Sequence, residues 1–286
     1  MSRSKQLFAL ACLVSVIGLA VAWSSTAASA DTVRMPQQLH LQIISTRPHD
    51  TSAFTQGLLL HEGELYESTG EFGKSTLRRV DPLTGNVRQR IDMAPDIFAE
   101  GLARVDDRLI QLTWKNRVAF VYDLRTFAKL DEYTYGSEGW GLCYDGESLY
   151  MSDGTSTLFI RDPDTFVVTR KFEVTQGNPV TGLAHPRDHL NELECVGDEI
   201  YANIWTTDEI VRIDKATGQV LAVIDASDLL TREERAQTDV LNGIAWDPDA
   251  QTFLITGKWW PWLYEVRFVG EPVLLPMTIA NLRLRK

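Results

Sequence analysis

Short apolar runs separated by turn residues recur along the chain, and each run opens in the same way. The first apolar position of each unit is Leu58, Leu102, Leu142, Leu193 or Ile244, and a second follows at Leu65, Leu109, Leu149, Ile200 or Phe253. Turn formers lie between them: His61-Glu62-Gly63-Glu64, Asp106-Asp107, Asp145-Gly146-Glu147, Gly197-Asp198-Glu199 and Asp247-Pro248-Asp249. This pattern predicts strand, tight turn, strand. Four units continue into a second turn, at Asp81-Pro82-Leu83-Thr84-Gly85, Asp123-Leu124-Arg125-Thr126, Asp162-Pro163-Asp164-Thr165 and Asp214-Lys215-Ala216-Thr217-Gly218. Asp and Thr there can hydrogen-bond the turn backbone. Each unit therefore reads as four antiparallel strands in about 40 residues, the size of a propeller blade.

Five such units predict an all-β fold, a five-bladed β-propeller. The last unit, Gly243 to Phe268, has three strands at most before a Pro-broken tail. The early run Leu39-Gln42-Ile43-Ile44 has no unit of its own, so it is expected to extend the outer edge of the final blade and close the ring, since open sheet edges are a liability. One stretch, Asp228 to Thr238, breaks the rhythm. Thr231-Arg232-Glu233-Glu234 resembles a capping box and predicts a short helical insertion between blades four and five. A β-sandwich is the competing architecture, but it would not require this grouping by fours.

The repeat also fixes a register. Two residues before each opener stand Gln56, Glu100, Trp140, Asn191 and Asn242. A fixed offset beyond each second apolar position leads to Gly70, Trp114, Gly154, Trp205 and Lys258. In an antiparallel hairpin the start of the first strand lies beside the end of the second. Both sets should therefore meet at one mouth of the channel. The inventory is a carboxylate, an ammonium, amides and indoles, which suits a small-ligand pocket. Taken singly, each residue has a plainer reading: the tryptophans as packing, Lys258 as a solvated lysine, Asn191 as a turn residue, Glu100 as a solvated carboxylate. Their convergence, and the apolar neighbours Trp259, Trp260 and Trp262 around Lys258, favour a site.

Composition narrows the partners. The 286-residue chain carries a formal charge of −11 and no basic tract, which argues against nucleic acid. At the N-terminus Arg3 and Lys5 precede an apolar run from Leu7 to Trp23, and Ala28-Ser29-Ala30 forms an A-x-A signal before Asp31. Residues 1–30 read as a secretory signal peptide rather than an uncleaved anchor, because small residues and no charged stop-transfer cluster follow the run. Cys12 belongs to that run. Residues 31–286 are then one exported catalytic domain, periplasmic or secreted, free of the membrane after cleavage and expected as a monomer. Cys143 and Cys195 could be joined in an exported protein, but spacing does not give connectivity. They are read as occupying neighbouring blades rather than touching strands, with a disulfide the minority reading.

Other chemical signatures are weak. His185 and His189 have helical spacing but lack the metalloprotease pattern and sit beside Pro186, so no zinc site is assigned. Asp153-Gly154 and Asp208 are read as turn caps ahead of cation ligands. Phosphate loops, nucleophile elbows and Cys-rich metal motifs do not occur.

The remaining motifs carry a family resemblance. Phe54-Thr55-Gln56-Gly57-Leu58, Tyr66-Glu67-Ser68-Thr69-Gly70, Phe98-Ala99-Glu100-Gly101-Leu102, Leu112-Thr113-Trp114, Glu138-Gly139-Trp140-Gly141-Leu142, Asn191-Glu192-Leu193-Glu194, Ala202-Asn203-Ile204-Trp205, Leu241-Asn242-Gly243-Ile244-Ala245 and Thr256-Gly257-Lys258-Trp259-Trp260-Pro261 are similar to the plant and bacterial type of glutaminyl cyclase. The similarity runs in order from Phe54 to Val266. Ala99 departs from the Gly common at that position. The resemblance implies a five-bladed propeller that acts on peptides or proteins with N-terminal Gln, forms pyroglutamate and releases ammonia, without catalytic zinc or any required cofactor. It implies Glu100 as the proton-transfer residue, with Asn191 and Lys258 as polar groups around the reacting amide. Phe54, Gln56, Phe98, Trp114, Trp140 and Trp205 would form the pocket, and a structural calcium in the channel is allowed. The alternatives are a non-catalytic exported propeller that binds peptide or carbohydrate at the tryptophan mouth, and a calcium-dependent lactonase-like propeller. The latter needs several inward carboxylates, where this inventory supplies mainly Glu100.

Overall fold

The computed structural model describes residues 33–270, which are all-β apart from the single helical turn Arg232–Arg235. The signal peptide assigned to 1–30 and the Pro-broken tail after Gly270 lie outside the described residues.

Consecutive strands form four-stranded antiparallel sheets. The first holds Thr55–His61, Glu64–Thr69, Thr76–Val80 and Val87–Asp92, and the second Ala99–Val105, Arg108–Thr113, Val118–Asp123 and Lys129–Thr134. The third holds Leu142–Tyr144, Leu149–Met151, Thr157–Arg161 and Val168–Glu173. An eight-stranded sheet contains the rest. One half is Leu190–Val196, Glu199–Ile204, Glu209–Asp214 and Val220–Asp225; the other is Leu241–Asp247, Thr252–Gly257, Trp262–Gly270 and the early strand Gln37–Pro48. That early strand pairs antiparallel with Trp262–Gly270 and parallel with Val220–Asp225. It covers the outer edge of the last group, as the orphan apolar run suggested.

Burial falls from the first to the fourth strand of a group. Thr55–His61 is buried over five residues, whereas Val87–Asp92 has no buried residue. Apolar clusters pack each group on the next: Leu59, Tyr66 and Leu77 against Leu102, Leu109 and Tyr122, and Ala103 and Ile110 against Leu142, Leu149 and Met151. The last group returns to the first through Leu58 and Leu65 against Ala245, Leu254 and Leu263. First strands innermost and group-on-group packing make the fold β-propeller-like. The second turns behave as their composition requires: Asp81, Asp123, Asp162 and Asp214 each accept a backbone N–H from the following Thr of the turn.

The helical insertion is shorter than the stretch that suggested it. Thr231 and Glu234 form the expected capping box, but only Arg232–Arg235 is helical. A small hairpin of Thr175–Gly177 with Ala184–Pro186 is also present; its exposed, Pro-flanked strands carry no alternation to announce it.

One reading is overturned. Cys143 and Cys195 form a disulfide, with Cα atoms 5.5 Å apart. They do sit in different strand groups, but the innermost strands of successive groups touch. A Cβ on Gly141 would lie 2.0 Å from Asn191 O, so only glycine permits this approach. Among the described residues no helix is long and apolar enough to cross a membrane.

Candidate active site

The position two residues before each apolar opener is a place where the inner strand slips register. Pairing shifts between Thr55 and Gly57, Ala99 and Leu102, Leu190 and Leu193, and Leu241 and Ile244. These bulges bracket Gln56, Glu100, Asn191 and Asn242, and a bulge re-aims the side chain it carries. The strand ends lie where the register argument put them. Gly70 N–H donates to Phe54 O, Trp114 N–H to Phe98 O, Trp205 N–H to His189 O and Lys258 N–H to Val240 O, at 2.8–3.0 Å.

All nine residues singled out from the sequence line one cavity of about 240 Å³: Phe54, Gln56, Phe98, Glu100, Trp114, Trp140, Asn191, Trp205 and Lys258. The wall is aromatic. Phe54 meets Phe98, Phe98 meets Trp114, and Trp140 meets Trp205, all edge to face. Trp259 packs on Phe54 at 5.0 Å, while Trp260 is buried behind with its indole N–H on Asp239 O.

Two buried ionisable groups face this space. Burial pushes the Glu100 carboxyl well above the usual carboxylate range; Lys258 opposes that rise and Glu138 adds to it. Burial likewise lowers Lys258, against the pull of Glu100 and Asp239. Among the described residues neither side chain has a hydrogen-bond partner, and Lys258 Nζ lies 4.7 Å from the centre of the Phe54 ring. Asn191 Oδ1 is buried and also unpartnered. Polar groups left unpaired in an apolar cavity are costly, and a ligand that pairs with them removes that cost.

Three residues absent from the sequence-derived site support it. Asn242 Nδ2 donates to Thr55 O and to Gln56 Oε1. Glu138 Oε2 accepts the indole N–H of both Trp114 and Trp140. Behind the wall, His49 lies between Glu67 and Trp260 O. Glu138 had a sequence signal, since buried indoles need acceptors and it stands two residues before Trp140.

The donor set does not fit a carboxylate-bound calcium in the channel. Among the described residues no three His, Cys, Asp or Glu side chains gather. Glu192 accepts the N–H of Leu58 and of Ile244 on its two oxygens, and Glu194 accepts that of Trp246. These carboxylates tie inner strands together.

Comparison with known proteins points in one direction. A family model described as glutamine cyclotransferase matches residues 14–268. A glutaminyl-peptide cyclotransferase of Arabidopsis thaliana is 42% identical over 233 residues, spanning 79% of this chain and 71% of that protein. The crystal structure of Myxococcus xanthus glutaminyl cyclase matches with a TM-score of 0.74 at 39% identity, covering 83% of this chain and 100% of that one.

Proposed function

The chain belongs to the glutamine cyclotransferase family, and from that premise we propose that its cavity converts the N-terminal glutamine of peptides and proteins to pyroglutamate. The α-amine attacks the γ-carboxamide carbon of the same residue. A C–N bond forms to the amine, the C–N bond to the amide nitrogen breaks, and ammonia leaves.

The amine must be neutral to attack, and the amide nitrogen must be protonated to leave. One carboxylate can move that proton: Glu100 accepts it from the attacking amine and returns it to the departing nitrogen. Its raised pKa suits both halves of the task, because a base that titrates closer to the amine also becomes a better acid once protonated. The tetrahedral intermediate carries an oxyanion. Lys258 and the Asn191 amide stabilise it, and such donors are worth about 10²–10³ in rate each. The ring closure is intramolecular, so holding the side chain folded is a large part of the catalysis. Phe54, Phe98, Trp114, Trp140 and Trp205 supply that restraint and keep out water that would hydrolyse the amide. Gln56 offers its amide to the substrate. Side chains supply every proton and charge in this scheme.

The observation that carries the reading is the pairing of Glu100 and Lys258, two buried and hydrogen-bond-free groups in one aromatic cavity. We read the four-stranded groups as five blades, with Gln37–Pro48 completing the fifth. We read the chain as an exported, periplasmic or secreted monomer released from a signal peptide at 1–30.

The test is direct. Purified protein is incubated with a Gln-initiated peptide, and ammonia and peptide mass are followed. Loss of one ammonia per peptide is expected, and Glu100→Gln should abolish it without unfolding the protein. Folded protein that binds the peptide but never releases ammonia would establish the non-catalytic propeller instead.

A further inference from the structure

The aromatic wall consists of two arcs. Phe54, Phe98 and Trp114 form one, with ring centres 6.1 and 5.5 Å apart. Trp140 and Trp205 form the other, at 5.4 Å. A single oxygen joins them: Glu138 Oε2 accepts the Trp114 indole N–H at 2.7 Å and the Trp140 indole N–H at 3.1 Å. An indole N–H can only donate, so one acceptor fixes the orientation of both rings. The acceptor itself is held. Gly139 N–H donates to Trp114 O at 3.2 Å, Ser137 Oγ donates to Glu138 O, and a Cβ on Gly139 would lie 2.3 Å from Tyr135 Oη. Outside the clamp, Lys115 Nζ is 3.9 Å from the Trp114 ring centre and 4.0 Å from Glu138 Oε1.

We infer that Glu138 is a positioning residue for the cyclisation: by clamping Trp114 to Trp140 it sets the width of the slot in which the glutamine side chain is folded. The inference rests on the cyclase reading above. A carboxylate suits the role because the Glu138 side chain is 36% exposed, and a charged acceptor holds its donors against water better than a neutral one. The charge has a second effect. The groups acting on Glu100 are Lys258, which favours its ionised form, and Glu138, which opposes it. Tyr135, also close to Glu100, keeps its hydroxyl on Thr113 O, Asp239 acts on Lys258, and Lys115 lies on the outer side of Glu138. Removing the Glu138 charge therefore eases ionisation of the proposed base.

Two variants separate the clamp from the charge. Steady-state kinetics on a Gln-initiated peptide are measured across pH for wild type, Glu138→Ala and Glu138→Gln, together with acrylamide quenching of tryptophan fluorescence in the ligand-free proteins. Glu138→Ala is expected to raise KM about 10-fold and to make the tryptophans more quenchable, as loss of a charge-assisted acceptor would. Glu138→Gln keeps an oxygen that can accept both indoles. It should restore KM and shielding, yet move the acid limb of kcat/KM to lower pH. Unchanged KM, quenching and acid limb in both variants, or losses that only track melting temperature with the limb in place, would overturn the inference. Wild-type protein that releases no ammonia overturns the cyclase reading and this inference together; active wild type with unaltered variants overturns the inference alone.

Discussion

Asn242 Nδ2 lies 3.0 Å from Thr55 O and 3.1 Å from Gln56 Oε1, and these two contacts decide which way Gln56 faces. A backbone carbonyl only accepts, so the nitrogen of Asn242 must be the atom at this point. The atom of Gln56 beside it is then its oxygen, which leaves the Gln56 Nε2 donor for the cavity that Gln56 lines. Asn242→Asp would set a carboxylate against Thr55 O in a fully buried position. Turning Gln56 over would answer the new acceptor and withdraw the donor. A fall in kcat/KM of about 10² is expected, the scale of one lost donor, with a lowered melting temperature. Gln56→Leu should reproduce the kinetic loss while sparing the Thr55 contact; kinetics and melting curves for both variants check the assignment.

The Glu100–Lys258 pair predicts a pH profile. Glu100 is raised by burial, and by Glu138 beyond that, while Lys258 restrains the rise. The base must be ionised to accept a proton, so the acid limb of kcat/KM should lie above the ordinary carboxylate value of 4.5. Lys258→Met removes the restraining charge. It should move that limb to higher pH as well as lowering kcat by about 10²–10³. A limb that stays in place when Lys258 is removed would show that another group titrates.

Stability should run opposite to activity at the same residue. A carboxyl with a raised folded-state pKa favours folding in its protonated form. That contribution is complete below the unfolded value and is lost as pH rises through the folded one. At neutral pH the buried, unpaired Glu100 therefore costs stability, whereas the amide of Glu100→Gln does not ionise. Glu100→Gln should melt at a higher temperature than wild type near pH 7, and the difference should shrink in acid. Paired thermal melts at the two pH values measure this directly.

Much of this site could be read from the sequence because the repeat fixes a register. Gln56, Glu100, Trp140, Asn191 and Asn242 recur at one offset, and strand bulges fall at four of those positions. The supporting contacts are not periodic. Glu138 acts across two strand groups, Asn242 reaches back 186 residues to Gln56, and Cys143 meets Cys195 over a separation of 52. Such contacts depend on which strands lie innermost, and chain offsets carry no record of that. Glu192 illustrates the point. It stands where other groups carry glycine, and it uses both oxygens to hold the N–H groups of Leu58 and Ile244.

A second buried pair predicts a bell-shaped stability curve. His49 Nδ1 donates to Trp260 O at 2.8 Å and Nε2 to Glu67 Oε1 at 3.0 Å, while Thr55 Oγ1 donates to the same oxygen. Burial alone would lower His49, but the Glu67 carboxylate overcomes it and the imidazole ends above its ordinary 6.5. Burial alone would raise Glu67, but His49 and Arg78 overcome it and the carboxyl ends below 4.5. The His49 contribution is complete below 6.5 and is lost as pH rises through its raised value. The Glu67 contribution is present above 4.5 and is lost as pH falls. Both groups are charged between those limits, so the pair stabilises most there. Glu67→Ala would strand a buried cation and should cost about 3–5 kcal/mol, measured by urea unfolding at pH 6, with a smaller cost in alkali where His49 is neutral.

The disulfide gives the last prediction. Joining Cys143 to Cys195 closes a loop of 52 residues, and a constraint of that length removes unfolded-state entropy worth about 4 kcal/mol. The loop contains the whole outer part of the third strand group, the hairpin Thr175–Gly177/Ala184–Pro186 and the strand that carries Asn191. In the folded protein, however, both sulfurs sit in fully paired strands, since Cys143 is opposite Tyr150 and Cys195 opposite Ile200. Those ladders do not need the bond to form. The paired substitution Cys143→Ser with Cys195→Ser should therefore lower the urea midpoint with little change in kcat/KM for a Gln-initiated peptide at 25 °C. Reductant added to the wild type should reproduce the shift in midpoint and leave the double variant unmoved. A double variant with an unchanged midpoint would show that the ladders alone set the stability of this segment.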